Sequence, residues 1–247
     1  MSRVRLYVPN DTSACAAGAE RLAEVWRQRP DVELVRTSSR GAFFLEPMVE
    51  RDSPEGRLAW CQVTADDLPK ILAGDGGIPV STIPFLSRQI RHTFAAFGVT
   101  EPLSLEAYRA QGGFAGLRKA RQVSPSAIIQ EIKTSRLRGR GGAAFPVWKK
   151  WDVAATTTAD RKYVVANADE GDAGTYCDRM IMEGDPFRLI EGMLICARAI
   201  GAGAGYIYCR QEYPAAAACL RAAIRAAGEA GWLESDGRPF TIEVVSG

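Results

Sequence analysis

Short apolar runs alternate with stripes of helical spacing along the chain, a rhythm that predicts an α/β protein. Val4 to Val8 reads as a strand. Thr12 or Ser13 then caps a helix whose apolar positions include Ala14, Ala17, Leu22, Val25 and Trp26. Val32 to Val35, Phe43 to Val49 and Leu58 to Val63 are further strand candidates. Thr64 starts a helix carrying Leu68, Ile71 and Leu72, which stops at Gly74. Strand-helix-strand-strand-strand-helix is compatible with a thioredoxin-like sheet and with other α+β folds.

Gly74-Asp75-Gly76-Gly77 and Pro79 mark a loop, and Thr82 to Ser135 reads as helical and connective. Its first helix is expected over Thr82 to Phe97. Ser124-Pro125 pairs an N-cap with an N1 proline ahead of Ile128, Ile129 and Ile132. Beyond Leu137 the pattern becomes strand Lys162 to Ala166, helix from Asp185-Pro186 to Gly201, strand Tyr206 to Cys209, helix Pro214 to Ala230 and strand Phe240 to Val245. That alternation predicts a Rossmann-like parallel βαβαβ unit with right-handed crossovers. The expected organisation is a thioredoxin-like domain over 1–80, a helical connection over 81–134 and an incomplete cofactor-binding domain over 135–247. A chain ending on Val244-Val245-Ser246-Gly247, with no element to cover that strand, is expected to be cut from a longer protein.

Composition narrows the chemistry. A formal charge of +2, from 31 basic and 29 acidic side chains, supplies no field for nucleic acid or an anionic membrane. No long uncharged apolar stretch or signal-peptide block is present, so a cytoplasmic protein without direct membrane insertion is expected. The six cysteines include no C-x-x-C pair, and no metal site is expected. The single histidine, His92, falls in the expected Thr82 to Phe97 helix as a packing or surface residue, which disfavours Ser-His-Asp and His-rich zinc chemistry.

Three segments carry polar chemistry. Arg138-Gly139-Arg140-Gly141-Gly142-Ala143-Ala144-Phe145 combines glycines, which let a backbone approach a ligand, with guanidinium groups suited to phosphate. It follows a helix instead of a strand, so by itself it reads equally as a flexible basic linker. Asn167-Ala168-Asp169-Glu170-Gly171-Asp172 follows a strand, at the carboxyl end where open parallel sheets bind ligands. Asn167 can donate to and accept from a ring edge. The carboxylates alone would equally suit Mg²⁺ or a solvated turn. Trp148-Lys149-Lys150-Trp151 is either an ordinary helix start or the source of a cation beside an anionic ring. At roughly 4 Å and an effective dielectric near 20, such an attraction is of order 4 kcal/mol before desolvation.

In order, the segments Ser135 to Pro146, Asn167 to Gly171, Met182 to Pro186, Ile190 to Met193 and Glu212 to Pro214 resemble the FMN-binding subunit of NADH:quinone oxidoreductase and its soluble relatives. Those relatives include the β subunit of NAD-dependent molybdenum formate dehydrogenase and the diaphorase subunit of NAD-reducing hydrogenase. The resemblance implies that Gly139, Arg140, Gly141 and Gly142 surround FMN and that Lys150 contacts the flavin. It implies that Asn167, Asp169 and Glu170 line the isoalloxazine, with Lys150 and Glu170 as the catalytic pair. Phe145 would lie against NADH, and Asp172 would take the ribose-binding place where many relatives have glutamate. The first domain resembles a thioredoxin-like 2Fe–2S domain with Asn10, Cys15, Ser39 and Phe43 at the ligand positions. Only one of these is a thiol, so no cluster is expected there. That fused domain favours the formate dehydrogenase type. Its partners would be NAD(H), an iron–sulfur and molybdenum α subunit and a small 2Fe–2S thioredoxin-like subunit. A 4Fe–4S cluster would belong only to the region missing after the last strand. Rival readings are a respiratory or hydrogenase NADH-oxidising subunit, a non-catalytic docking module and, more distantly, a Mg²⁺-dependent phosphoryl transferase.

Overall fold

The computed structural model describes residues 3–172, 174–235 and 237–247; Met1, Ser2, Asp236 and the Ala173 of the acidic motif lie outside them. The first stretch runs β1 (Val4–Pro9), α1 (Thr12–Ala16), α2 (Ala19–Trp26), β2 (Val32–Thr37), β3 (Val49–Ser53), β4 (Gly56–Trp60), α3 (Leu68–Ala73), β5 (Ile78–Pro79) and α4 (Pro84–Ser87). Next come α5 (Leu105–Ala110), α6 (Ala115–Arg121), α7 (Pro125–Ser135) and α8 (Val147–Thr156). The remainder is β6 (Tyr163–Ala168), α9 (Cys177–Gly184), α10 (Pro186–Ile200), β7 (Ala204–Cys209), α11 (Pro214–Glu229), the short pair β8 (Glu234–Ser235) and β9 (Arg238–Pro239), and β10 (Thr241–Ser246).

Two compact units result. One holds the residues up to Ala107 together with Cys177–Asp185; the other holds Tyr108–Tyr176 and Pro186–Gly247. The first unit is built on a sheet of order β2-β1-β3-β4-β5, in which β1 and β2 are parallel and the others antiparallel. That arrangement is the expected thioredoxin-like one. Its core joins Leu6 and Val8 of β1 to Leu22 and Trp26 of α2 and Ile71 of α3.

Four local expectations are corrected. The first helix is capped by Asp11, whose side chain accepts from Ser13 N and Ala14 N, and it breaks at Gly18, whose φ is +108°. Phe43 to Val49 is no strand. Phe43–Leu45 forms a 3₁₀ turn and Pro47, which has no N–H to donate, delays pairing until Val49. The helix expected over Thr82 to Phe97 stops at Ser87, because Ile90 is 87% exposed and gives the segment no apolar stripe to bury. His92 therefore sits among turns. The supposed loop at Ile78–Pro79 adds an edge strand to β4.

The second unit carries a three-stranded sheet of order β10-β7-β6, parallel throughout, as the βαβαβ pattern requires. Val164, Ile207, Ile242 and Val244 are buried on one face. So are Phe187, Ile190 and Leu194 of α10 and Leu220 and Ala223 of α11. Helix α10 also grips α6 at both ends. Glu191 accepts from Phe114 N at 2.7 Å and Leu117 N at 2.9 Å, at the start of α6. Two turns on, Arg198 donates to Ala120 O at 2.6 Å and Val123 O at 2.8 Å, at its end. An anion at the N-terminus and a cation at the C-terminus match the helix dipole.

Candidate cofactor site

The basic glycine segment is a pinched loop between α7 and α8. Ser124 and Pro125 start α7 as expected, with Ser124 Oγ accepting from Ala127 N. The helix ends on Arg136 in the left-handed region, at φ +56°. Gly139 N then donates to Phe145 O at 2.9 Å, and Val147 N to Leu137 O at 3.1 Å, closing the neck of the loop. Arg138 also folds back, donating to Ala144 O at 3.3 Å. Between these ties Arg140, Gly141 and Gly142 are exposed. Gly142 has φ +105°, a conformation that favours glycine, while a Cβ on Gly141 would meet nothing within 4 Å. An open arc of backbone with a guanidinium beside it is the outcome. Phe145 is half-exposed at the arm of the loop, and Lys150, one turn into α8, brings its Nζ to 6.0 Å from the Phe145 ring centroid.

The acidic turn occupies the carboxyl end of β6, and Asn167 is already its penultimate residue. Asn167 Oδ1 accepts from Asp169 N at 3.0 Å, a local bond that shapes the turn. Asn167, Asp169, Gly171 and Asp172 are exposed. Glu170 differs: it is only 5% exposed, and Tyr213 Oη donates to its Oε2 at 3.2 Å. Arg210, at the carboxyl end of the neighbouring strand β7, donates to Glu170 O. Its other guanidinium edge forks onto Glu212, with Nε and Nη2 at 3.1 and 2.9 Å from the two carboxylate oxygens. That hydrogen-bonded pair holds the Glu212 carboxyl down at about 2.

The site residues thus gather into two groups within one unit: the loop group of Gly139 to Phe145 with Lys150, and the turn group of Asn167 to Asp172 with Arg210 and Tyr213. The first offers amide hydrogens and cations; the second offers carbonyl and carboxylate acceptors. The open face of the sheet continues the second group, with Tyr163, Val165 and Tyr208 exposed at 46, 63 and 41%. A parallel sheet with an apolar open face is built to be covered. Glu212 and Tyr213 carried the resemblance without a role and Arg210 was not singled out, although their position just beyond β7 marks the same edge of the sheet as the acidic turn.

The matching positions of the first unit form a polar pole. Asp11 Oδ2 accepts from Ser39 N at 2.5 Å, joining the start of α1, the helix that holds Cys15, to the loop that runs to Phe43. Burial pushes the Cys15 thiol up to about 11. Helix α9 is the other surprise. It belongs to this unit, where Glu183 accepts from Thr12 N and Oγ1 at 2.8 and 2.6 Å, and Arg179 donates to Ser13 Oγ at 2.5 Å.

Comparison with known proteins agrees with this layout. Residues 132–247 match the Complex1_51K family, described as the Nuo51 FMN-binding domain. The chain is 46% identical over 143 residues to an NADH-quinone oxidoreductase subunit of Aquifex aeolicus, covering 57% of this chain and 33% of that protein. It is 42% identical over 164 residues to the NADP-reducing hydrogenase subunit HndC of Solidesulfovibrio fructosivorans, covering 65% of this chain and 33% of that protein. The chain therefore spans about a third of the length of these curated relatives. A crystal structure of NAD+-reducing [NiFe]-hydrogenase in the H2-reduced state shares the fold. Its TM-score is 0.50 at 24% identity, covering 100% of this chain and 43% of that one.

Proposed function

We propose that this chain, whose residues 132–247 match the Nuo51 FMN-binding domain family, is part of an NADH-oxidising flavoprotein subunit of the complex I and NAD(P)-reducing hydrogenase type. The observation that carries the reading is the pairing of donor chemistry in one unit. An exposed arc of glycine amides with Arg140 and Lys150 suits phosphate and a reduced, anionic ring. Asn167 and Asp169, beyond the end of a parallel strand, suit the N–H and C=O edge of that ring. The residues present therefore fit FMN. When bound, FMN supplies the two-electron to one-electron conversion that links NADH to iron–sulfur clusters. The residues of this chain bind and orient. Gly139, Arg140, Gly141 and Gly142 form the loop around FMN, and Lys150 places a positive charge near the ring. Phe145 offers its exposed face to the nicotinamide or adenine, and Asp172 is the ribose-binding carboxylate. Any 4Fe–4S cluster belongs to parts of the subunit other than this chain.

Within that class the formate dehydrogenase type is the finer proposal. Its support is the thioredoxin-like unit fused in front, with Asn10, Ser39 and Phe43 where cysteine ligands would stand. Electrons would then pass from a molybdenum α subunit toward NAD⁺, beside a small 2Fe–2S subunit, in the cytoplasm. The named relatives favour a second reading, a quinone-reducing or hydrogenase complex. Co-purification from the native source separates them: a molybdenum subunit supports the first, and membrane or hydrogenase subunits the second. The shared reading is tested by flavin content. The full-length protein should carry FMN, and Lys150→Ala should weaken its retention or shift its midpoint potential. Wild-type flavin content with unchanged NADH–ferricyanide activity in that variant would remove Lys150 from the site.

A further inference from the structure

We propose that the first unit carries a docking surface for an acidic segment of a partner protein, formed by the exposed rings of Phe44 and Phe85 with the arginines Arg88, Arg91 and Arg40 beside them. The inference goes beyond the flavoprotein reading and does not rest on it, because all of these residues lie outside the family match at 132–247.

A single exposed apolar side chain needs no explanation, but here two aromatic rings pack on each other outside the core. Phe44 is 62% exposed and Phe85 43%, and the rings meet edge to face with centroids 5.5 Å apart. The pair stands on fixed backbone. Phe44 is the middle residue of the 3₁₀ turn Phe43–Leu45, and Phe44 O accepts from Gln62 Nε2 at 3.3 Å. Phe85 lies in α4 between Ile83 and Leu86, which are buried in an apolar cluster with Ala42, Met48 and Ala59. Burial alone would put the larger rings inside. Instead the smaller side chains fill the cluster and the rings face water.

Charge then selects the occupant. Between Asp75 and Glu101 the chain has no acidic residue, while Arg88 and Arg91 fall within that stretch. Arg88 follows Phe85 by three positions, the spacing that places two side chains on one helical face. It is exposed and has no carboxylate partner among the described residues. Arg91 Nη2 donates to Arg40 O, which ties a second arginine to the start of the loop that carries Phe44. Burial, and then the neighbouring Arg40 charge, hold Arg91 below the usual arginine range, with Glu50 offsetting only part of this. Glu50 is itself shared: Arg40 Nε and Nη2 reach its two oxygens at 2.5 and 2.8 Å, and Arg57 Nη1 approaches it at 3.3 Å. Asp52 lies 3.5 Å from Arg57 Nε, and Glu55 shares a cavity wall with Arg40 and Arg57. These acids all belong to the β3–β4 hairpin, and Glu46, the carboxyl of the Phe44 loop, is buried. Aromatic rings and arginines carry most of the binding energy at protein interfaces. A segment that lays an apolar side chain on the rings and carboxylates on Arg88 and Arg91 matches both halves of the surface.

The test uses the full-length protein in the complex purified from its native source. A photo-cross-linking phenylalanine analogue is placed at position 44, and the linked peptides are sequenced by mass spectrometry. The expected product joins position 44 to a segment of another subunit rich in aspartate and glutamate. Arg88→Glu should cut the yield of that product roughly tenfold, and Arg88→Lys, which keeps the charge, should retain most of it. Neither variant should move the melting temperature by more than about 2 °C, because the side chain is exposed and has no partner to lose. A link within the same polypeptide, to a second copy of this chain, or to a neutral or basic segment would overturn the proposal. So would the absence of any product, or a yield indifferent to Arg88→Glu.

Discussion

The sharpest thermodynamic prediction concerns Glu46, a carboxyl buried in the polar pole of the thioredoxin-like unit. It is 7% exposed, and Oε2 accepts from Met48 N at 2.7 Å, but Oε1 has no hydrogen-bond partner among the described residues. Burial is the main cause that pushes its pKa from the ordinary 4.5 up to about 8, with the nearby Asp11 and Glu50 carboxylates adding to the shift. The folded value lies above the unfolded one. The contribution of Glu46 to stability is therefore complete below about pH 4.5 and is lost progressively as pH rises to about 8. Each pH unit in that window costs about 1.36 kcal/mol, so at pH 7 the loss is about 3 kcal/mol.

Glu46→Gln keeps the shape and the acceptor for Met48 N but cannot ionise in either state. Its stability relative to the wild type should rise by about 3 kcal/mol between pH 4.5 and 7, and level off above pH 8. For a chain of this size that is roughly a 10 °C gain in melting temperature at neutral pH relative to acid. Thermal melts of both proteins at half-unit pH intervals from 4.5 to 9 give the difference curve. Any constant offset reports the packing of the amide, so the slope is the readout. A difference that stays flat across the window would show that Glu46 titrates normally and would refute the burial argument.

Other perturbations have defined outcomes. Glu191→Ala strips an acceptor from Phe114 N, Leu117 N and Tyr108 Oη; urea denaturation should show a loss of about 2–3 kcal/mol, as for donors left without their charged acceptor. A loss below about 1 kcal/mol would mean α6 is held by packing alone. Gly142→Ala meets no steric clash but must adopt φ +105°; the strain of about 1–2 kcal/mol should appear as weaker FMN binding in the full-length protein with little change in melting temperature.

Regular elements were the most legible in the sequence, because burial acts on periodicity. The second sheet follows the expected βαβαβ order, since each of its strands has one buried face and α10 and α11 present continuous apolar stripes. What failed was set by single residues. Asp11 outcompeted Thr12 and Ser13 as a cap because its carboxylate reaches two amides, and Pro47 delayed a strand that apolar content alone would extend back to Phe43. Helix α9 was invisible: its apolar positions Met180, Ile181 and Met182 do not recur over enough turns to register as a stripe. Of the site, the residue types of both turns could be read directly, but the inward position of Glu170 could not. Its hydrogen-bond partners Arg210 and Tyr213 lie about forty positions away and are brought near by strand pairing.

The polar pole of the first unit is tied together by hydrogen bonds to two carboxylates. Buried backbone donors in loops must find acceptors or cost a few kcal/mol each. Here carboxylates take the donors. Asp11 satisfies Ser13 N, Ala14 N and Ser39 N, and Glu183 of α9 satisfies Thr12 N and its hydroxyl. These bonds fasten the loop after β1 to the loop after β2 and fasten both to α9. Met180 and Gly184 complete the seal against Gly41 and Ser38, where added Cβ atoms would approach to 2.9 Å. A helix whose sequence neighbours on both sides belong to the flavin-side unit is thereby committed to the thioredoxin-like one.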